Sequence, residues 1–200
     1  MTTLVAVRHG QTVYNRQNRI QGWVDSQLTD RGREQARDLA ATIDAEHDID
    51  RTVASDLDRA RETAAIVAGE SDAPSPELDE GLRERHAGVY QDRTRAEIQA
   101  EAPGAISDGG HIAIHDPPAE GEAIEEMRER VLAAVDRAVD GLGADETVLV
   151  VAHGGPVRAL LSTATDTDLT AAYDRFVPGN CSRSVLAVDG GLELIETDTV

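Results

Sequence analysis

Short apolar runs alternate along the chain with longer segments whose apolar residues recur every three or four positions. The short runs are typical of buried strands and lie at residues 4–7, 52–55 and 148–152. The longer segments are typical of amphipathic helices and lie at residues 30–45, 60–67 and 123–140, with a further helix beginning at Pro156. Ser55 is expected to cap the second of these helices. Alternating strands and helices predict an α/β fold, with a mostly parallel sheet and helices on both faces.

Two segments depart from this alternation. Residues 184–189 and 192–197 flank Gly190-Gly191 and predict a C-terminal antiparallel hairpin. Residues 71–122, which we call the excursion, are rich in proline and glycine and contain one short helical candidate at residues 93–100. The excursion is too long for a structureless connection, so it is expected to cover one end of a single domain formed by residues 1–200.

The length and cysteine content agree with one cytoplasmic domain. A chain of 200 residues buries enough surface to fold without disulfides, and Cys181 is its only cysteine. No apolar run approaches the roughly 18 residues that a membrane-spanning helix needs. The N-terminus leads into the first strand without a basic stretch or an apolar leader segment. We therefore expect a cytoplasmic protein that does not engage membranes.

The charge of the chain is strongly acidic. Asp and Glu total 38 against 19 basic residues, all of them arginine, which gives a formal net charge of −19. Such a charge repels a phosphate backbone and argues against nucleic acid as a partner. The hydrophobic content of 40% argues against disorder. A lysine-free, acidic composition resembles that of proteins from extreme halophiles, so adaptation to concentrated salt is our hypothesis for it.

Two of the predicted strands end alike, each with a histidine followed by glycine. Arg8-His9-Gly10 follows the first strand, and His153-Gly154-Gly155 follows the strand at 148–152. After the strand at 52–55, Arg59 lies in the first turn of the predicted helix. Because α/β sheets bind ligands at the carboxyl ends of their strands, these residues predict one pocket rich in hydrogen-bond donors. The guanidinium fork suits phosphate oxygens, and a histidine in such a pocket is a candidate nucleophile or acid.

Six motifs, taken in order, resemble those of the histidine phosphatase superfamily, whose fold is also called phosphoglycerate-mutase-like. They are Arg8-His9-Gly10-Gln11-Thr12 with Asn15, Arg19-Ile20-Gln21-Gly22, Leu28-Thr29-Asp30-Arg31-Gly32, Ser55-Asp56-Leu57-Asp58-Arg59-Ala60, Leu82-Arg83-Glu84 and Val151-Ala152-His153-Gly154-Gly155. A lone Arg-His-Gly tripeptide occurs easily by chance, so the resemblance depends on the ordered set.

This resemblance implies catalysis in two steps through a phosphohistidine on His9. Arg8, Arg59 and His153 would surround the phosphoryl oxygens, and Glu84 would protonate the leaving group and then activate water. Other matches to pocket-lining or phosphate-binding positions are Asn15, Gln21, Gly22, Arg85 and Gly154. The resemblance implies no metal and no organic cofactor. Without it, Glu84 is one carboxylate on a charged, solvated segment, and Glu80 is its nearest competitor.

The superfamily includes phosphatases and mutases, and the sequence favours a small phosphatase. Arg85, directly after the acid, is similar to a mutase residue that helps bind phosphoglycerate. The Gly154-Gly155-Pro156-Val157-Arg158 segment is instead similar to phosphatases, and the excursion lacks the adjacent arginine pair of mutases. We expect a phosphomonoester hydrolase acting on a small phosphorylated metabolite. A bisphosphoglycerate-dependent mutase is the alternative, and a domain that binds a phosphorylated ligand without turnover is a third.

Several residues outside the six motifs carry less specific signals. The segment His111 to Asp116 has metal-ligand spacing, but without other candidate ligands a loop near the pocket mouth or plain surface is favoured. Asn180 matches an asparagine of family members and is a candidate to approach the pocket, whereas Cys181 is expected to be a small buried residue. Trp23 and Tyr14 suit either a pocket wall or ordinary packing. A homo-oligomer is compatible with the sequence, which does not determine the oligomeric state.

Overall fold

A six-stranded mixed sheet forms the centre of the computed structural model, which describes residues 1–107, 109–114 and 117–199. Its strands are β1 (Thr2–Arg8), β2 (Arg51–Ala54), β3 (Glu77–Leu78), β4 (Thr147–Ala152), β5 (Arg183–Val188) and β6 (Leu192–Thr197). The order across the sheet is β3-β2-β4-β1-β5-β6. The first four strands in this order are parallel, and β5 and β6 add the antiparallel hairpin. The predicted α/β fold is confirmed.

Helices cover both faces of the sheet, as predicted. They are α1 (Val13–Arg16), α2 (Asp30–Glu46), α3 (Asp58–Glu70), α4 (Arg95–Glu101), α5 (Ile124–Val139), α6 (Gly154–Ala164) and α7 (Leu169–Arg175). Successive side chains of a strand point to opposite faces. Leu4 and Ala6 of β1 therefore pack with α5 and α6, while Val5 and Val7 pack with α2 and α3. None of the helices in the described ranges is long and apolar enough to cross a membrane.

Two helix starts differ from prediction. The expectation that Ser55 caps α3 is wrong, because Leu57 occupies the N-cap position and makes no side-chain cap bond. The Ser55 hydroxyl instead lies 2.9 Å from Nε2 of His153. Helix α6 begins at Gly154 rather than at Pro156, with His153 at its N-cap position. Both differences arise where strand ends meet and tertiary contacts override local preference.

The excursion contains more structure than its sequence predicts. It includes β3, two 3₁₀ turns (Glu80–Leu82 and Gly88–Tyr90) and α4, which confirms the helix expected at residues 93–100. Thr94 starts α4 through a capping box with Glu97. Ile98 then packs in a small separate cluster with Ile20 of the loop after β1. The excursion is thereby attached to that loop.

Strand register brings the three predicted motif segments to one edge of the sheet. Arg8 pairs with Ala152, and the next amide, that of His9, donates to the Ala152 carbonyl at 3.0 Å. On the other side of β4, Ala54 pairs with Val151, and the Ser55 amide donates to the Val151 carbonyl at 2.9 Å. The carboxyl ends of β1, β2 and β4 therefore converge.

Candidate active site

A cavity of about 270 Å³ opens where these strand ends converge. Nearly all of the site residues that the motifs predict line this cavity, although they come from five separate segments of the chain. Those on its wall are Arg8, His9, Asn15, Gln21, Gly22, Arg59, Glu84, Arg85 and Gly154. His153 is fully buried and packs edge-on against the His9 ring.

His9 is held in one tautomer by its own backbone neighbour. Its Nδ1 lies 2.8 Å from the Gly10 carbonyl oxygen, which can only accept a hydrogen bond. Nδ1 therefore carries the proton, and Nε2 keeps its lone pair. Burial lowers the pKa of His9 well below 6.5, and the positive charges of Arg59 and Arg8 lower it further. The ring is neutral at physiological pH, as a nucleophile requires.

His153 packs edge-on against His9, with 5.1 Å between ring centroids and 61° between ring planes. Its Nε2 pairs with the Ser55 hydroxyl, while its buried Nδ1 has no hydrogen-bond partner among the described residues. Burial lowers its pKa well below 6.5, with further contributions from Arg59 and His9. His153 is thus a neutral ring with one polar atom unsatisfied.

Arg8 and Arg59 place two cations on the cavity wall, Arg59 buried and Arg8 partly buried, without a carboxylate ion pair in the described ranges. Arg8 donates from NH1 to the Pro178 carbonyl at 2.6 Å, and Arg59 donates from NH2 to the Gly22 carbonyl at 2.7 Å. The Nε–H of each is buried and has no partner in the described part of the chain. Burial lowers the pKa of each to about 10. Unsatisfied buried N–H groups on cations are suited to phosphoryl oxygens.

Glu84 reaches the same cavity, and its carboxylate is held by backbone amides. The Gly155 amide lies 3.2 Å from both oxygens, and the Arg85 amide lies 2.9 Å from Oε1. A Cβ on Gly155 would lie only 2.2 Å from Oε1, so this close approach requires glycine. The competitor Glu80 is not on the wall, and its largely exposed carboxylate lies 3.7 Å from Arg83.

Arg85 lies on the wall, but its guanidinium is occupied by the excursion. It donates to the carbonyl oxygens of Glu122 at 2.8 Å and Ala113 at 3.2 Å, with a longer contact of 3.5 Å to Ile114. These bonds tie the segment that follows Glu84 to the far part of the excursion. The Arg85 guanidinium therefore stabilises the excursion in this conformation.

The remaining predicted residues organise the loop after β1. The Asn15 side-chain oxygen accepts from the Thr12 amide at 3.0 Å, and Gln21 accepts from the Thr12 hydroxyl at 3.1 Å. Asn180 donates to Asn15 at 3.2 Å and to the His9 carbonyl at 3.0 Å. Asn180 thus lies off the cavity wall, and it supports the backbone of His9 and the Asn15 side chain.

Trp23 supports Glu84 rather than lining the cavity. Its indole donates to the Glu84 carbonyl at 2.7 Å, and Arg130 donates to the same oxygen at 2.8 Å. Tyr14 is also off the wall and donates to Asp92 at 2.6 Å. The partly buried Cys181 has a pKa raised to about 12 by burial, so its thiol stays protonated.

Sequence reasoning missed several residues of the outer cavity wall. They include three cations and a tyrosine: Arg19, Arg95, Arg158 and Tyr173. Arg158 had a usable signal, because it lies one helical turn after Gly154 and therefore on the same face of α6. Arg95 and Tyr173 had none, since their approach to the cavity depends on how the excursion and α7 pack.

The segment His111 to Asp116, which has metal-ligand spacing, lies only partly within the described residues. His111 lies on the cavity wall, whereas His115 and Asp116 fall outside the described residues. In the ranges 1–107, 109–114 and 117–199, His, Cys, Asp and Glu side chains form no group of three or more that suits a metal ion. The expectation that no metal is used stays a prediction.

Comparison with known proteins places the chain in a family. The sequence model of the histidine phosphatase superfamily (branch 1) matches residues 4–197. The chain belongs to this superfamily. It is 40% identical to the glucosyl-3-phosphoglycerate phosphatase of Mycolicibacterium vanbaalenii over 167 residues, which cover 78% of this chain and 71% of the relative. It is 37% identical to phosphoglycerate mutase-like protein 4 of Arabidopsis thaliana over 166 residues, covering 80% and 70%.

Solved structures agree with this assignment. Bacillus stearothermophilus YhfR superposes with a TM-score of 0.86 and 35% sequence identity, covering 100% of this chain and 96% of that structure. The predicted superfamily membership, the fold and the class of activity, an enzyme that hydrolyses phosphomonoesters, are confirmed. The residue roles, the intermediate and the substrate go beyond these comparisons.

Proposed function

We propose that this histidine phosphatase hydrolyses a small phosphorylated metabolite through a phosphohistidine formed on Nε2 of His9. The observation that carries the proposal is the hydrogen bond of 2.8 Å between His9 Nδ1 and the Gly10 carbonyl. It fixes the ring with the Nε2 lone pair available, beside two guanidinium groups whose buried Nε–H groups have no partner among the described residues. Neutral nucleophile and cationic surroundings suit attack on a phosphate dianion.

In the first step, Nε2 of His9 attacks phosphorus and the bond to the ester oxygen breaks. Glu84 in its protonated form gives its proton to the departing oxygen, so the leaving group departs as an alcohol. The unpartnered Nε–H groups of Arg8 and Arg59 donate to the phosphoryl oxygens. His153, with its proton on Nδ1, adds a third donor when Ser55 donates to Nε2. Positioning and charge stabilisation supply most of the rate enhancement in such transfers.

In the second step, a water molecule attacks the phosphorus of the phosphohistidine. Glu84, now a carboxylate, accepts a proton from that water as the P–N bond breaks. The products are inorganic phosphate and neutral His9, and Glu84 is protonated for the next cycle. The two backbone amides that hold the Glu84 carboxylate keep it in place through both steps.

The contacts of Arg85 support hydrolysis rather than a mutase reaction. A mutase must hold phosphoglycerate while it returns the phosphoryl group, and the sequence resemblance assigns Arg85 to that task. In this chain the guanidinium donates instead to backbone carbonyls of the excursion, those of Ala113 and Glu122. With this cation occupied, transfer to water is the favoured outcome.

Substitution at His9 tests the proposal. The variant His9→Asn is expected to lose essentially all hydrolysis of 4-nitrophenyl phosphate, and His47→Asn, outside the cavity wall, is expected to retain it. Assays with 3-phosphoglycerate should release inorganic phosphate far faster than they form 2-phosphoglycerate. Full activity of His9→Asn would refute the nucleophile, and isomerisation faster than phosphate release would establish the mutase.

We further propose that residues 1–200 act as one domain whose excursion covers the active site, and that the protein works in a salt-rich cytoplasm. The charge of −19 without lysine supports the second point, because salt at about 1 M shortens the Debye length to about 3 Å and screens surface repulsion. Thermal unfolding should then shift to higher temperature between low and multimolar KCl. Greater stability at low salt would contradict this.

A further inference from the structure

Two arginines on the outer wall of the cavity have no ionic partner in the described residues, although acidic residues outnumber arginines two to one. Arg95 comes from α4 in the excursion, and Arg158 comes from α6. Each uses Nε on a backbone carbonyl: Arg158 donates to Phe176 at 2.8 Å, and Arg95 donates to Gly110. Their terminal nitrogens make no hydrogen bond within the described ranges. By contrast, Arg19 on the same wall lies 3.3 Å from Asp92.

The positive charge of Arg158 destabilises the Arg95 guanidinium in the cavity. Burial lowers the pKa of Arg95, and the positive charge of Arg158 lowers it further. Burial also lowers the pKa of Arg158. Holding two like charges in a partly desolvated cavity costs free energy that a bound anion would offset. A wall built in this way is suited to an anionic ligand.

This cationic pair adjoins the phosphoryl site. A Cβ on Gly154 would lie 3.3 Å from NH1 of Arg158 and 3.8 Å from Nε of Arg8. Gly154 therefore lies between the guanidinium groups of Arg8 and Arg158, and it places no side chain between them. A ligand whose phosphate meets Arg8 extends directly towards Arg158.

Tyr173 fixes the outer arginine and marks the direction of the leaving group. The Arg158 guanidinium lies over the Tyr173 ring, 4.8 Å from its centroid, and the His111 ring packs edge-on at 4.9 Å. A Cβ on Gly155 would lie 3.1 Å from the Tyr173 hydroxyl and 2.2 Å from Oε1 of Glu84. The tyrosine is thus beside the carboxylate that protonates the leaving oxygen, so groups near Arg158 belong to the leaving group.

We propose that Arg95 and Arg158 form a leaving-group subsite that binds a second oxyanion of the substrate. The substrate class is then a phosphomonoester whose alcohol part carries a carboxylate or a second phosphate. This inference rests on the proposed hydrolase function and names its specificity. It differs from the adjacent arginine pair of mutases, because the two residues come from separate elements, α4 and α6.

Matched substrates test the subsite. The two compounds 3-phosphoglycerate and glycerol 3-phosphate differ by a carboxylate in place of an alcohol, and fructose 1,6-bisphosphate and fructose 6-phosphate differ by a second phosphate. The wild-type protein should show kcat/KM at least about 10-fold higher for one or both anionic partners, as expected for hydrogen bonds to charged groups. The pair with the larger ratio identifies the oxyanion.

The variants Arg95→Gln and Arg158→Gln should remove most of this preference by raising KM for the anionic substrate. The loss should fall on the anionic member of each substrate pair, so that the ratio of the two kcat/KM values within a pair falls towards one. Arg93→Gln is the matched control, because Arg93 is near Arg95 but pairs with Glu101 at 2.6 Å. Arg158→Lys retains the charge if Arg158→Gln fails to fold, and Arg95→Gln tests the subsite independently.

The outcomes distinguish failure of the subsite from failure of the proposed hydrolase function. Absence of any turnover of 4-nitrophenyl phosphate would contradict the hydrolase itself. Normal turnover of that ester, with equal kcat/KM for both members of each pair, would overturn the subsite alone. A preference for anionic substrates that survives in Arg95→Gln, and in Arg158→Gln where that variant folds, would also overturn it.

Discussion

The Ser55 hydroxyl lies 2.9 Å from Nε2 of His153 and joins the end of β2 to the histidine that packs against His9. The Ser55 amide also donates to Val151 of β4, so the pair is anchored in the sheet at both ends. A hydroxyl that donates to Nε2 leaves the proton of His153 on Nδ1. That nitrogen is buried and has no partner in the described part of the chain. We expect the hydroxyl to donate, because Nδ1–H of His153 is then available to a phosphoryl oxygen.

Removal of this hydroxyl should slow catalysis. We expect Ser55→Ala to lower kcat for 4-nitrophenyl phosphate about 10-fold, because one hydrogen bond of this kind contributes roughly 1 kcal/mol and sets the tautomer. Ser182→Ala is the control, since that hydroxyl donates within its own turn, to the Gly179 carbonyl. Unchanged kcat in Ser55→Ala would show that His153 does not depend on this bond.

Gly155 should not tolerate a side chain. The methyl group of Gly155→Ala would lie 2.2 Å from Oε1 of Glu84 and 3.0 Å from the Met127 sulfur, so the carboxylate must move. We expect kcat to fall by about 10²–10⁴, the usual contribution of general acid–base catalysis. Gly179→Ala, whose new methyl group would contact only Ser182 at 3.9 Å, should retain wild-type kcat. Comparable rates for the two variants would place Glu84 outside the reaction.

The pH dependence should lack an ionisation of His9 near 6.5. Burial and two arginines lower the pKa of His9, so the ring stays neutral and nucleophilic as pH falls through 6.5. The value of kcat/KM reports the free enzyme. For 4-nitrophenyl phosphate, whose leaving group needs no proton from Glu84, the value corrected for substrate dianion should therefore stay flat from about pH 8 to below 6.5. Ring nitrogen NMR, assigned with His9→Asn, checks the same point. Titration of His9 at its ordinary pKa would contradict it.

Arg130 should act as a positioning residue for Glu84. It donates to the backbone carbonyls of Gly81, Arg83 and Glu84, and it pairs with Glu122 at 2.5 Å. We expect Arg130→Gln to lower kcat at least 10-fold with a smaller change in KM and to lower the free energy of unfolding by about 3 kcal/mol.

Arg137→Gln is the matched control for Arg130 on the same helix. Arg137 pairs with Asp79 near the surface, so its loss should cost below about 1 kcal/mol of stability and leave kcat unchanged. Lys at position 130 retains the charge but not the forked geometry, and it should restore stability more than kcat. Equal kcat in Arg130→Gln and Arg137→Gln would exclude the positioning role.

The sequence predicted well what depends on local pattern. Apolar runs predicted β1, β2 and β4, because burial of a strand is visible in its own residues. The motifs then identified residues such as His9 and Glu84, which the fold brings to one cavity. Short elements such as α1, β3 and α7 were missed, since a few residues carry too little periodicity.

Contacts between distant segments of the chain could not be predicted from the sequence. Ser55 has the chemistry of a helix cap, and only the packing of β2 beside β4 shows that it serves His153 instead. Arg85 has the chemistry of a phosphate ligand, yet the excursion occupies its guanidinium. The same packing brings Arg95 and Arg158 to one wall. Such outcomes depend on long-range pairing, which composition and spacing do not encode.

Direct detection of the phosphoenzyme tests the central claim. The variant Glu84→Gln cannot activate water but still reacts with an aryl phosphate whose leaving group needs no proton. Rapid quenching into base should therefore trap close to one phosphate per protein, located by mass spectrometry on His9. Glu80→Gln, the control at an exposed carboxylate, should turn over without accumulation. Label on another residue, or equal labelling in the double variant with His9→Asn, would contradict the mechanism.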